Sequence, residues 1–243
     1  MRILVANANT TAAITETCVA AARAVAAPTT VIIGATPAFG PTVISTRAEN
    51  AIAGHAMLAT LAEHAGRVEA VILAVSHDTA LEAARQLMPC PVLGITEAAC
   101  FTACLVGGNF GVLTLGQARP YEELVARHGL AARCAGVRGV AATPQDVLRD
   151  PEGVAALVLA EARAMAESCD AVVLAGAALA GMDRKLQEDC PVPLLDGMAC
   201  AVKLLEGLVA LGLPKPRAGS YAAPSGRTSI GLSPALAALL RGG

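Results

Sequence analysis

Short apolar runs that end in turn residues alternate along the chain with longer, alanine-rich stretches whose apolar positions return at helical spacing. The short runs are near-continuous Val, Ile, Leu and Ala, without the polar alternation of a half-exposed strand, which is how strands buried on both faces of a parallel sheet read. They predict strands over Arg2–Ala6, Thr30–Ala35, Ala70–Val75, Val92–Ile95, Phe110–Leu115, Gly136–Val140, Ala171–Ala175 and Pro193–Leu195. Helices are predicted over Thr11–Ala26, Arg47–Ala65, Thr79–Gln86, Glu97–Leu105, Tyr121–His128, Pro151–Ser168 and Met198–Leu211. Asp150 is a good N-cap for the helix that begins at Pro151, where the missing N–H of proline does no harm. The fold class is α/β.

The strands fall into two runs of four, each closing near a proline-bearing strand, Pro91-Val92-Leu93-Gly94 and Pro191-Val192-Pro193-Leu194. This reads as an internal duplication: two similar lobes, each a mainly parallel four-stranded sheet flanked by helices. Residues 1–96 with 198–213 are expected to form the first lobe and 97–197 the second. Residues 214–243 are rich in Pro, Gly and Ser with little periodicity, and read either as a tail wrapped on a surface or as disorder.

Composition narrows the function. Of 243 residues, 55% are hydrophobic and 16% charged, which excludes a disordered chain; with 2% aromatic and no Trp, the core must be built from small aliphatic side chains. Eighteen Lys and Arg against 20 Asp and Glu leave a charge of −2 with no basic block, so nucleic acid is not an expected partner and a small molecule is. The run Ala98–Val106 is broken by Thr102 and stopped by Gly107 and Gly108, far short of the roughly 20 residues a membrane span needs. Only Ile3 to Ala6 separate Arg2 from Asn7, too short for the apolar part of a secretory signal, so a cytoplasmic location is expected. The eight cysteines are scattered without a CxxC pair or histidines at metal-ligand spacing, so neither a metal, a cofactor nor a disulfide framework is expected.

In parallel sheets, ligands gather beyond the carboxyl ends of the strands, where loops diverge and helix N-termini present N–H groups. Four such ends stand out. Asn7-Ala8-Asn9-Thr10-Thr11 offers amides and hydroxyls, or simple helix capping by Asn9 or Thr10. Phe39–Thr46 reads as a loop. Val75-Ser76-His77-Asp78-Thr79 brings a hydroxyl, an imidazole and a carboxylate together, although adjacent residues point apart and cannot form a triad; Asp78 or Thr79 is expected to cap the next helix. Gly176-Ala177-Ala178-Leu179 has no polar side chain and offers only backbone N–H groups and space, or tight packing.

Asn7–Thr11, Phe39-Gly40-Pro41 with Ser45, Gly94-Ile95-Thr96-Glu97, Arg119-Pro120, Leu195-Asp196-Gly197 with Ala201-Val202-Lys203-Leu204, and Gly219-Ser220-Tyr221-Ala222, in this order and spacing, resemble the hydantoin and allantoin racemases of the aspartate/glutamate racemase superfamily. The resemblance implies an active site in a cleft between the lobes and substrate-binding roles for Asn7, Asn9, Thr10, Pro41, Ser45 and Thr114, with Arg119 nearby; Val75, Thr79, Gly176 and Ala177 are expected to line the same site. It also implies two cysteines that take and return a proton on opposite faces of a carbon, and here those positions fall on Val75 and Gly176. The leading expectation is therefore derived, non-thiol chemistry on a cyclic ureide, amide or carboxylate, with Ser76 and His77 as catalytic residues and hydrolysis as the reaction. Racemisation by substitute bases, decarboxylation or another lyase reaction, and binding without catalysis stay open. Relatives and the apolar composition favour a homo-oligomer.

Overall fold

A computed structural model, describing residues 1–242, divides into two compact units: Met1–Gly94 with the segment from Val202 onward, and Ile95–Ala201.

In the first unit, β1 (Arg2–Asn7), β2 (Val31–Ala35), β3 (Ala70–Ala74) and β4 (Val92–Gly94) form a parallel sheet in the order β2-β1-β3-β4. The central strands β1 and β3 are buried almost throughout, which is why they read as unbroken apolar runs. Helices α1 (Ala12–Val25), α2 (Arg47–His64) and α3 (Leu81–Leu87) connect them. Leu4, Met57, Leu61, Leu73, Leu81 and Met88 meet in one apolar core between the sheet and α2 and α3.

The second unit repeats the plan. Its strands β5 (Phe110–Leu115), β6 (Cys134–Val140), β7 (Val172–Ala175) and β8 (Leu194–Asp196) are parallel in the order β6-β5-β7-β8. They are flanked by α4 (Ile95–Val106), α5 (Arg119–Arg127), α6 (Pro144–Arg149), α7 (Pro151–Met165) and α8 (Asp183–Leu186). One face packs Leu113, Val158, Val172 and Leu174, the other Phe110, Val112, Tyr121 and Val173. Asp150 caps α7 through the Gly153 N–H, as its sequence predicts. Helix α9 (Gly197–Ala210) follows β8 directly, and in the first unit its Glu206 accepts hydrogen bonds from the Ala27 N–H and the Thr30 hydroxyl, both at 2.7 Å.

Besides the short helices α6 and α8, which the sequence reading did not include, two segments depart from it. Residues 214–242 are not without helix: Pro234–Arg241 forms α10, capped by Ser233, with Leu236 seated against Ala59 and Ala62 of α2. Eight residues with alanine between the leucines give too short a period to stand out among turn residues. Helix α3 begins at Leu81 rather than Thr79, because Asp78 and Ala80 both adopt left-handed backbone, with φ of 48° and 62°.

Candidate active site

At the carboxyl end of β1, Asn7 is fully buried beside Ala74 of β3. Its amide nitrogen lies within hydrogen-bond distance of the Asn9 carboxamide oxygen (3.0 Å), the Thr11 carbonyl (3.2 Å) and the Thr15 hydroxyl (3.1 Å), while its own oxygen accepts from the Asn9 N–H. Asn9 Oδ1 also accepts from the Thr11 N–H. Of the two readings left open for this loop, simple capping by Asn9 or Thr10 does not occur; a closed network stands in its place. Thr11 is the N-cap of α1 and makes no side-chain cap bond. The Thr10 N–H donates to the Pro41 carbonyl and the Thr11 hydroxyl to that of Thr42, so the loop after β2 is tied to the loop after β1. Ser45 is exposed, and its N–H donates to Glu49, which completes a capping box with Thr46. The Thr-x-x-Glu spacing is a signal that reading Phe39–Thr46 as a plain loop passed over.

The segment after β3 is the most strained backbone of the unit. The Asp78 N–H bonds the Val75 carbonyl and the Leu81 N–H bonds that of Asp78, two tight turns in succession. Left-handed backbone costs about 1–2 kcal/mol for an L residue such as Ala80, and such strain persists where surrounding contacts hold it. Two contacts do so. The Asp78 carboxyl fills the space that a Cβ would take at Gly94, and the Thr79 hydroxyl donates to Asn50 of α2 at 2.5 Å. Neither Asp78 nor Thr79 caps α3 as expected; Ala80 holds the N-cap position without a side-chain bond. Val75 is buried, Ser76 and His77 half-buried. Burial pushes the His77 imidazole below its ordinary value of 6.5, so at neutral pH it is uncharged and fit to accept a proton.

In the second unit, Thr114 near the end of β5 pairs with Ala175 at the end of β7 and is wholly buried. Its hydroxyl has no hydrogen-bond partner among the described residues. Gly176 follows in extended backbone (φ 173°), and Ala177 opens a short 3-10 turn. The atoms nearest to a Cβ at Gly176 would be those of Leu179, at ordinary contact distance, so neither the backbone nor packing demands glycine there. Arg119 is exposed at the start of α5, with its guanidinium on Glu123 (3.3 Å) and Glu122 (3.7 Å). A group not singled out for chemistry lies here too. Asp196, the last residue of β8, accepts from the N–H groups of Gly181, Met198 and Ala199. Burial, with Asp183 adding like charge, raises its pKa.

The fold therefore gathers Asn7, Asn9, Thr10 and Pro41 into one bonded group with Val75 to Thr79 on the neighbouring strand end, and sets Thr114 beside the Gly176 loop in the other sheet. Ser45 and Arg119 lie exposed, with their bonds to nearby glutamates. None of the thiols follows the carboxyl end of a strand. Cys90 precedes β4 and Cys200 lies in α9, and burial pushes both up to about 11, far from a thiolate at neutral pH. Among the described residues no group of His, Cys, Asp and Glu is arranged to hold a metal ion, and no helix is long and apolar enough to cross a membrane.

The two parallel four-stranded sheets share one strand order, and residues 3–205 match the family model of the Asp/Glu/hydantoin racemases; the chain belongs to that family. It is 32% identical over 234 residues to the hydantoin racemase of Paenarthrobacter aurescens, covering 93% of this chain and 98% of the relative. Allantoin racemase from Klebsiella pneumoniae superposes with a TM-score of 0.91 at 33% identity, over 97% of this chain and 98% of that one. The allantoin racemase of Pseudomonas fluorescens gives 0.91 at 34%, over 95% and 100%. Arylmalonate decarboxylase, at 16% identity and a TM-score of 0.56, shares the fold alone.

Proposed function

We propose that the chain is an isomerase of racemase type that moves a proton at the ring carbon of a small cyclic ureide of the hydantoin or allantoin class, with His77 as the base. The observation that carries this is His77 itself: a half-buried, neutral imidazole held on a strained loop at the carboxyl end of β3. Relatives named hydantoin racemase and allantoin racemase, a third identical over nearly the whole chain, support the substrate class and the reaction. The hydrogen to be removed sits on a carbon between a ring carbonyl and a ring nitrogen. Its loss leaves an enolate whose charge moves to the carbonyl oxygen, where hydroxyl and N–H donors stabilise it. Ser76 and the N–H groups of the loop after β1 are the donors the proposal assigns. His77 holds the proton it has taken, a water molecule on the opposite face delivers another to the carbon and inverts the centre, and the imidazolium then returns its proton to the hydroxide left behind. Hydrolysis, the reaction favoured from the sequence, draws no support from these relatives.

The test is incubation of one enantiomer of a 5-substituted hydantoin, and of allantoin, in D2O with the purified protein. Loss of the ring C–H signal together with decay of optical rotation is expected. Ring opening without deuterium uptake would identify a hydrolase, and neither change a binding protein; both overturn the proposal.

A further inference from the structure

The segment beyond α9 does more than cover apolar surface. Lys215 places its ammonium on three backbone carbonyls at the end of α3, those of Arg85 (2.8 Å), Gln86 (2.7 Å) and Met88 (2.6 Å). These are the carbonyls that a helix C-terminus leaves without partners, at the negative end of its dipole, and a cation is the group that suits them. Arg85 itself turns away, its guanidinium donating to the Val92 carbonyl of β4. Five residues beyond Lys215, the Ser220 carbonyl accepts from Gln86 Nε2. Farther on, α10 lays Leu236 on Ala59 and Ala62 of α2, and Leu87 of α3 packs against the same cluster.

The tail thus joins the two helices that hold the loop carrying His77. Helix α3 is its direct continuation, and α2 grips it through Asn50 and Thr79. At 1.5 Å per residue the seven residues of α3 span roughly 10 Å, a rigid rod between Lys215 and the loop. The left-handed turns at Asp78 and Ala80 need such an outside constraint, since a free chain relaxes them. We propose that Lys215 is a positioning residue: by clamping the C-terminal end of α3 it fixes the helix and, through it, the placement of His77. The functional half of this rests on the reading of His77 as the base; the structural half does not.

The experiment compares wild type with Lys215→Met, which keeps the stem and removes the charge, and Lys215→Arg, which restores donors. Leu236→Ala, which loosens the other anchor, provides a second perturbation that leaves the clamp in place. Hydrogen exchange of the peptide spanning residues 75–88 and the NMR signals of the His77 ring are read without substrate, and kcat and KM with the ureide that exchanges in D2O. Lys215→Met is expected to speed exchange in 75–81 by about tenfold, the order that local opening gives, to move the His77 ring signals, and to lower kcat more than it raises KM. Lys215→Arg should recover most of each change, and Leu236→Ala should move the same signals less. A lower melting temperature in Lys215→Met with unchanged exchange in 75–81 and unchanged His77 signals would overturn the proposal. Displaced His77 signals with unaltered turnover would leave the clamp standing and defeat the assignment of His77 as base.

Discussion

Asn7 and Thr114 hold equivalent places in the two sheets: each stands at the carboxyl end of the strand second in order, paired with the third strand, at Ala74 and Ala175 respectively. Both are fully buried. Asn7 is bonded at every polar atom within its own loop, whereas the Thr114 hydroxyl has no partner among the described residues. A second pair inverts in the same way. On the fourth strand, Gly94 leaves room for a carboxyl from the loop after the third strand, that of Asp78; at Asp196 the carboxyl is on the strand, and the loop supplies the Gly181 N–H. The two sheets share a scaffold while their edges differ. One is a self-satisfied, strained frame around an imidazole, the other an edge with a glycine that neither backbone nor packing requires and a hydroxyl without a partner among the described residues. Frame and edge should therefore answer differently to mutation.

Removing the imidazole should have the largest effect. His77→Ala is expected to lower turnover of the ureide by about a hundredfold or more, the range for a general base. Because burial lowers the pKa of His77, the base form persists to a pH below 6.5, and wild-type turnover should rise with pH through a midpoint under that value. The same shift disfavours folding in acid: as pH falls below 6.5 the unfolded chain binds a proton that the folded one resists, so stability declines. A rate profile without such a limb, or a loss smaller than about threefold, would remove His77 from the chemistry.

Asn7 tests the frame. Asn7→Ala takes the amide from Thr11, Thr15 and Asn9; the Thr15 hydroxyl keeps Thr36, the Thr11 carbonyl keeps the Ile14 N–H and the Asn9 carboxamide oxygen keeps the Thr11 N–H, so the loss falls on the Asn9 N–H and on a buried site, and should cost about 1–2 kcal/mol, read as a shift of the urea midpoint at constant slope. A loss below about 0.5 kcal/mol would mean that water takes over these bonds and that the edge is open like that of the second sheet.

The scaffold was legible because buried parallel strands announce themselves as apolar runs, and because the duplication repeats both the runs and their prolines. The edges were less so. That Val75 to Thr79 and Asn7 to Thr11 follow strand ends was visible in the sequence, yet the direction of each side chain is set by left-handed turns at Asp78, a type that tolerates such backbone, and at Ala80, which gives no warning. The partnership of Asp78 with Gly94 or of Thr79 with Asn50 joins residues 16 and 29 positions apart, and only the packed sheet brings them into contact. The tail hid α10 for a different reason: its helix depends on one buried leucine, Leu236, lying on α2, rather than on a pattern of its own.

Thr114→Val gives the smallest expected change in stability and the finest contrast with Asn7. The substitution keeps the branched shape and replaces the hydroxyl by a methyl group. Where a buried hydroxyl is hydrogen-bonded, this leaves its partner wanting and destabilises; where it has none, it removes a desolvation penalty of about 1–3 kcal/mol. Thr114 has no partner among the described residues, so the variant should match wild type in urea or exceed it by up to about 1 kcal/mol. If the hydroxyl is kept for a ligand, the gain in stability comes with a loss of about tenfold in kcat/KM, the value of one hydrogen bond made in the complex. Stability and activity moving in opposite directions identify a polar group kept for a ligand. A variant that is more stable and fully active would reduce Thr114 to packing, and one that is less stable by more than about 1 kcal/mol would show that the second edge, like the first, is closed upon itself.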